Sequence, residues 1–235
     1  PTRSASSVAF GSNVTITTNR PSTAVTSTLF YKVGSIADTQ FASSVGASFL
    51  WTIPATAIGS LSNVTSGTIT VTQKFYNGTN HLGSTSVTLT GTIPKSVPSV
   101  NVTSATPGTT LTVSTARKHT TLTHTLKYSF GTTSNATLST NVGSSYEWLS
   151  TANNILANAL TTATSGTLTF TLYTYNGTAL IGHNTKTITI SIPNTTTYRP
   201  SVSAAISEGA SEMVGAGAYI LGHSSTKGIA AGSGQ

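Results

Sequence analysis

The sequence contains no cysteine and very few carboxylates. Charged residues make up 6% of its 235 residues, against about a quarter in an ordinary soluble domain. Disulfide bridges and thiolate metal sites are therefore excluded. The four carboxylates, Asp38, Glu147, Glu208 and Glu212, are too few for most acid–base, phosphoryl-transfer or calcium chemistry. We expect a protein that is not an enzyme and that has no catalytic residues, no cofactor and no metal site.

Positive charge is present but dispersed. The chain has 11 Lys and Arg and a formal net charge of +7, which reflects the shortage of acids. Only Arg117 and Lys118 are adjacent, whereas a nucleic-acid-binding protein clusters its cations on one face. The sequence also lacks an apolar run of about 18 residues, the length that indicates a membrane-spanning helix. We therefore expect neither nucleic-acid binding nor membrane insertion.

Threonine and serine are abundant instead. There are 49 Thr and 34 Ser, and 48 of the Thr precede Pro200. Threonine is β-branched and suits pleated, half-buried surfaces. Apolar residues recur between the threonines at regular spacing, which argues against a disordered chain. The composition favours an all-β protein with small cores.

The chain contains an internal duplication. Gly11–Ser35 aligns without a gap with Gly108–Thr132 at an offset of 97, with ten identities in 25 positions. Two inserted residues then change the offset to 99, at which Thr65–Thr68 aligns with Thr164–Thr167. Each copy has about 95–100 residues, the size of an immunoglobulin-like sandwich. We predict repeat 1 at residues 1–100 and repeat 2 at 101–200, with 201–235 as the start of a third module or a C-terminal extension.

Alternation within the copies predicts strands. Leu126, Tyr128 and Phe130 occupy every second position and match apolar residues of repeat 1, while Lys127 replaces Phe30 between them. One face thus stays apolar and the other accepts charge, as in a half-buried strand. Short strands with turn signals and no crossover helices indicate antiparallel sheets. The predicted fold is all-β, with tandem immunoglobulin-like antiparallel β-sandwiches.

Glycine and proline mark the predicted connections. Asn77-Gly78 and Asn176-Gly177 each lie between alternating segments and predict a hairpin with a type I′ turn, which needs positive φ at both central residues. Pro94–Pro107 and Pro193–Pro200 read as short, stiff linkers. Thr151–Ala163 could hold one helical turn.

Aromatic residues are the best candidates for a functional role. Trp51 and Trp148 recur at equivalent positions, which favours core anchors. Tyr173 and Tyr175 have the opposite parity from Leu168 and Phe170, so they should point outward, where their rings could stack on a sugar. The alternative is a cross-strand aromatic pair beside a hairpin. We take Tyr173 and Tyr175 as candidate carbohydrate-binding residues.

The histidines do not predict a metal site. His119 and His124 are five residues apart on strand-like sequence and should therefore point to opposite faces. No HExxH or HxH motif is present, so loop histidines in contact with solvent are the simpler interpretation.

Several segments together resemble a known protein family. Thr123–Gly131, Val142–Trp148, Tyr175–Gly182 and Arg199–Val202 look like the minor structural proteins, or tail fibre proteins, of siphophages that infect streptococci and related Gram-positive bacteria. The resemblance implies a virion protein of the tail tip or fibre that is made in the host cytoplasm and acts extracellularly. It also implies other phage tail proteins as partners and a homo-oligomer, for which a trimer is our estimate. It carries no catalytic residues over to this chain.

Two further classes of function remain open beside this interpretation. The leading hypothesis is a stalk and adhesion protein with polar Thr and Ser faces, which suit repeated weak contacts with host cell-wall polysaccharide. A second is a carbohydrate-binding module of a larger cell-wall-active protein. A third is a bacterial surface adhesin with immunoglobulin-like repeats.

Overall fold

A computed structural model of the chain describes residues 1–149 and 164–191. Within these ranges the elements are β-strands and one short 3-10 helix, and residues 1–192 belong to one compact unit. The helical turn expected at Thr151–Ala163, the linker at Pro193–Pro200 and the third module at 201–235 lie outside the described residues.

Repeat 1 is a sandwich of two sheets. Its strands are β1 (Thr2–Arg3), β2 (Ser7–Ala9), β3 (Asn13–Thr17), β4 (Thr26–Val33), β5 (Ile36–Val45), β6 (Ser48–Thr52), β7 (Ser66–Asn77) and β8 (Asn80–Thr92). The sheet orders are β1-β3-β6 and β2-β8-β7-β4-β5. The 3-10 helix, Ala55–Ser60, connects β6 to β7.

Repeat 2 has the same arrangement. Its strands are β9 (Ser99–Val100), β10 (Ser104–Ala105), β11 (Thr110–Ser114), β12 (Leu122–Phe130), β13 (Thr133–Thr140), β14 (Ser145–Leu149), β15 (Ser165–Asn176) and β16 (Ala179–Ser191). The sheet orders are β14-β11-β9 and β10-β16-β15-β12-β13. Each repeat thus has a three-stranded sheet and a five-stranded sheet, an immunoglobulin-like sandwich, so the predicted fold class is confirmed. The strand pairs are antiparallel except β2–β8 and β10–β16, which are parallel.

The predicted linker at Pro94–Pro107 contains structure that the sequence did not indicate. Strands β9 and β10 lie within it, and they pair with β11 and β16 of repeat 2. Each is only two residues long and therefore gives no alternation signal. The segment that joins the last strand of repeat 1 to the first strand of repeat 2 is correspondingly short, at residues 93–98.

Alternation places the cores where the sequence predicts them. Along β12, inward positions are buried and intervening positions are half-buried, and Leu29, Tyr31 and Val33 are buried in the same way on β4. Trp51 and Trp148 are buried as well, which confirms their structural role. Each repeat thus has its own apolar cluster between its two sheets.

The two Asn-Gly hairpins form, but with a different turn from the one predicted. The loop residues are Gly78-Thr79 and Gly177-Thr178, because Asn77 and Asn176 each end a strand. Only the glycines have positive φ, at 62° and 59°. A type I′ turn would need positive φ at both loop residues, whereas glycine alone at the first position fits a type II′ turn. The asparagines are consequently outside the two-residue loops, and the turns do not require their side chains.

The repeats fill one part of the core in opposite ways. In repeat 1, Phe10 is buried beside Gly91, and a methyl group added to Gly91 would lie 2.6 Å from Phe10 Cζ. In repeat 2, Pro107 aligns with Phe10, and the fully buried Ile190 aligns with Gly91. The large side chain therefore stands at position 10 in repeat 1 and at position 190 in repeat 2.

Gly91→Ala should destabilise repeat 1, since its new methyl group would overlap Phe10 and Ile69. Overpacking of this kind costs about 1–3 kcal/mol. The measurement is the free energy of unfolding in urea by circular dichroism. Gly46→Ala is the matched control, because a methyl group there would have no neighbour within 4 Å. Equal stability of the two variants would contradict the packing described.

Candidate functional site

The described ranges contain neither a metal-binding cluster nor a membrane-spanning helix. Within residues 1–149 and 164–191, no three His, Asp or Glu side chains come together in a way that could hold a metal ion. The same residues include no helix that is long and apolar enough to cross a membrane. Two other features remain: the outward aromatic residues of repeat 2, and the contact between the repeats.

Tyr173 and Tyr175 lie on the outer face of the larger sheet of repeat 2. Both are half-buried on β15, while Leu172, Thr174 and Asn176 between and beside them are buried. This is the parity that the sequence predicts. Tyr173 lies opposite His183 in the register of β15 and β16.

Tyr173 already has three neighbours on this face. Its ring centroid lies 5.1 Å from that of His183, and Lys127 Nζ lies 5.2 Å from the tyrosine centroid. Asn135 Nδ2 donates a hydrogen bond of 3.4 Å to the tyrosine hydroxyl. The cross-strand pair offered as the alternative from sequence is therefore present. Sugar stacking on Tyr173 and Tyr175 stays a prediction.

Repeat 1 carries the same kind of contact with its partners exchanged. Lys74 Nζ lies 4.1 Å from the ring centroid of Phe30. Phe30 aligns with Lys127, and Lys74 aligns with Tyr173. Both pairs lie diagonally across neighbouring strands. A cation–aromatic contact, worth about 0.5–1 kcal/mol at an exposed site, therefore occupies this face in both repeats.

The contact between the two repeats, which we call the joint, is centred on Asn176. Its side chain is 2% exposed. Asn176 Nδ2 donates hydrogen bonds to the carbonyl oxygens of Leu61 and Val64, at 3.1 and 3.0 Å. One amide thus satisfies two backbone carbonyls of the loop that follows the 3-10 helix in repeat 1.

Hydrogen bonds in the opposite direction complete this contact. Asn63 Oδ1 accepts a bond of 2.9 Å from the backbone N–H of Thr178 and another of 3.1 Å from the Thr178 hydroxyl. Asn63 has a positive φ of 55°, a conformation that asparagine tolerates better than most residues. The hairpin of repeat 2 and the loop of repeat 1 are therefore bonded to each other reciprocally.

Apolar residues of repeat 2 extend the core of repeat 1. Leu122, the first residue of β12, is fully buried and belongs to the repeat 1 cluster, against which Ile181 also packs. His119 covers Gly59, since a methyl group there would lie 2.8 Å from its ring. The joint therefore combines buried apolar area with directional hydrogen bonds.

The connection between the repeats is bonded to repeat 2 at Ser96. This residue is fully buried. Its N–H donates to Thr174 Oγ1 at 3.1 Å, and its carbonyl accepts from Asn184 Nδ2 at 3.0 Å. Ordinary linkers between domains expose their backbone. In this connection, both the N–H and the carbonyl of Ser96 are hydrogen-bonded to side chains of repeat 2.

His124 corrects the expectation that the histidines lie in solvated loops. It is fully buried on β12, and neither ring nitrogen has a hydrogen-bond partner among the described residues. Burial lowers the pKa of His124, and the positive charge of Arg117 lowers this pKa further. The carbonyls of Val142 and Gly143 act in the opposite direction, without hydrogen-bond geometry to the ring. Its shared parity with Leu126 is the sequence signal that indicates an inward position.

Asn176→Ala should destabilise the chain, because it leaves two carbonyls of the joint without their donor. The expected loss is about 1–3 kcal/mol in the free energy of unfolding, measured in urea by circular dichroism. Asn77→Ala is the matched control: it alters the aligned, exposed residue of repeat 1 and should change stability by less than about 0.5 kcal/mol. Losses of equal size would show that the amide acts on its own hairpin and not on the joint.

Acid should weaken the chain through His124. A histidine with a lowered pKa in the folded state binds its proton more readily when unfolded. Its contribution to stability is therefore complete above the unfolded pKa of about 6.5 and declines as the pH falls below that value. We expect a lower free energy of unfolding at pH 5 than at pH 7.5, and a smaller difference for His124→Leu. Identical differences in both proteins would exclude His124 as the cause.

Comparison with known proteins identifies the family. Residues 1–106 and 98–214 each match the family described as siphovirus protein of unknown function (DUF859). These matches cover most of the chain and follow its two repeats. The protein is thus a tandem immunoglobulin-like protein, and it belongs to this siphovirus family.

Other comparisons are more distant. The crystal structure of the FN1–FN3 domains of chicken CNTN1 is similar with 12% sequence identity and a TM-score of 0.27. The match covers 79% of this chain and 62% of that one. No curated protein has a sequence similar enough to indicate a relationship.

Proposed function

We propose that this chain is a non-enzymatic structural component of a siphophage tail fibre or tail tip, in which the two sandwiches serve as a stalk. Membership of a siphovirus family supports a role in the phage. The observation that carries the proposal is the joint, where Asn176, Asn63 and the buried Leu122 fix repeat 2 to repeat 1.

A stalk must hold its modules in a constant orientation. Domains joined by exposed linkers move relative to one another by default. Here the connecting residue Ser96 is buried and bonded through its backbone to Thr174 and Asn184. These bonds hold the connection against repeat 2, and bending at the joint would break the bonds of Asn176 and Asn63 that cross between the repeats, so the two sandwiches resist it.

The outer faces suit a structure that meets a cell wall. Their exposed positions are mainly Thr and Ser, with few charges. Hydroxyl groups and half-buried rings such as Tyr173 and Tyr175 would make weak contacts with polysaccharide. In an assembly with many copies of the chain, these contacts would act together and raise the overall affinity. We propose a homo-oligomer, with a trimer as the working number, and other tail proteins as partners.

Immunogold microscopy of purified virions tests the location. Antibodies raised against residues 1–192 should label the tip or fibres of the tail, and they should slow adsorption of the phage to its host. Labelling of the capsid, or no labelling of intact virions, would overturn the proposal. Pre-immune serum is the control.

Light scattering separates the stalk from its main alternative. We expect the 235-residue chain to be oligomeric. A monomer that binds cell-wall polysaccharide, and that loses binding in Tyr173→Ala and Tyr175→Ala but keeps it in Tyr76→Ala, would instead identify a carbohydrate-binding module.

A further inference from the structure

One end of repeat 1 is built like the end of repeat 2 that makes the joint. We call it the hairpin end, formed by residues 18–25 and 77–82. Arg20 Nη1 donates to the carbonyl of Val25 at 3.3 Å, and the aligned Arg117 Nη1 donates to the carbonyl of Leu122 at 3.4 Å. The same guanidinium contact therefore shapes the loop in both repeats.

The turns at these two ends also agree. Gly78 and Gly177 have φ of 62° and 59°, so both hairpins reverse in the same way. Asn77 aligns with Asn176, and Thr79 aligns with Thr178. The hairpin end thus presents in repeat 1 the two polar residues that repeat 2 uses to bond to a neighbouring module.

What differs between the ends is their burial. Asn176 is buried in the joint, whereas Asn77 and Thr79 are exposed, and Asn77 makes no side-chain hydrogen bond with another described residue. Leu82 is 55% exposed, although the aligned Ile181 packs against the core of repeat 1. The positions that repeat 2 buries in the joint are therefore open to solvent at the hairpin end of repeat 1.

We propose that the hairpin end of repeat 1 is a docking surface for another immunoglobulin-like module of this repeat type. The module would present a loop like Leu61–Val64, with an apolar side chain and two outward carbonyls. Leu82 would pack against the apolar side chain, Asn77 would donate to the carbonyls, and Thr79 would donate to a side-chain oxygen equivalent to that of Asn63. The proposal rests on the geometry of the joint and is independent of the role in the tail.

Two parts of the joint have no equivalent at the hairpin end. Ser22 stands where repeat 2 has His119, which covers Gly59 in the joint. Phe75 and Thr85 stand where repeat 2 has Thr174 and Asn184, so the connecting segment of an incoming module would not be bonded as Ser96 is. Docking would therefore depend on the hairpin and on its apolar contact, which makes Leu82 the decisive residue.

The test supplies the missing module. A second copy of residues 1–97 is fused directly ahead of Pro1 of the full chain; because Pro1 aligns with Pro98, the new junction repeats the natural one. The added copy carries Asn80→Ser, so that mass spectrometry distinguishes its peptides in amide hydrogen exchange. In the original repeat 1, the amide of Thr79 should exchange about tenfold more slowly than in the unfused chain, the factor expected from one net hydrogen bond.

Each remaining measurement supports or contradicts docking. The hairpin of the added copy has no module ahead of it and should keep the fast rate. Leu82→Asp in the original repeat 1 should abolish the protection, while Leu50→Asp, at a leucine 64% exposed on β6, should leave it intact. An unchanged Thr79 rate overturns the proposal. So does an added copy that stays unfolded, because the same sequence folds where repeat 2 docks on it.

Discussion

Each repeat depends on one tryptophan that packs across its two sheets. Trp51 belongs to the three-stranded sheet of repeat 1, and its ring contacts Phe41 and Tyr31 of the five-stranded sheet at centroid distances of 4.3 and 5.2 Å. Trp148 contacts Tyr128 and Phe170 in the same way. Aromatic residues are only 7% of this chain, and each buries an unusually large area. These rings therefore connect sheets whose other inward residues are mostly aliphatic.

The fold was predictable because its signals are local. The period-2 pattern that ends in Leu126, Tyr128 and Phe130 specifies an inward face from a few residues, whatever the rest of the chain does. The joint was not predictable, since the carbonyl partners of Asn176 lie 112 and 115 residues earlier in the chain. An Asn-Gly pair already has a local explanation as a turn, and the long-range role of the asparagine leaves no further mark on the sequence. His124 shows the converse, because its parity indicated burial while its polarity suggested exposure.

The two repeats preserve interactions more closely than residues. Phe10 and Gly91, which lie against each other, align with Pro107 and the buried Ile190. The contact of Lys74 with the Phe30 ring is replaced by a contact of Lys127 with the Tyr173 ring. In both cases the two aligned positions exchange size or charge between them. Aligned positions therefore look unrelated one at a time, although the volume filled and the contact made are retained. For the cation–aromatic contact, the cross-strand pair and not the single position is what the duplication has kept.

Leu122 gives the chain a mechanical property that neither sandwich has alone. It is the first residue of β12, the strand that pairs with both β13 and β15, yet its side chain lies in the core of repeat 1. Opening that core removes the apolar surroundings of the residue that starts a central strand of repeat 2. We therefore expect tension applied along the chain to be shared across the boundary, so that the repeats unfold as one cooperative unit instead of as two independent ones.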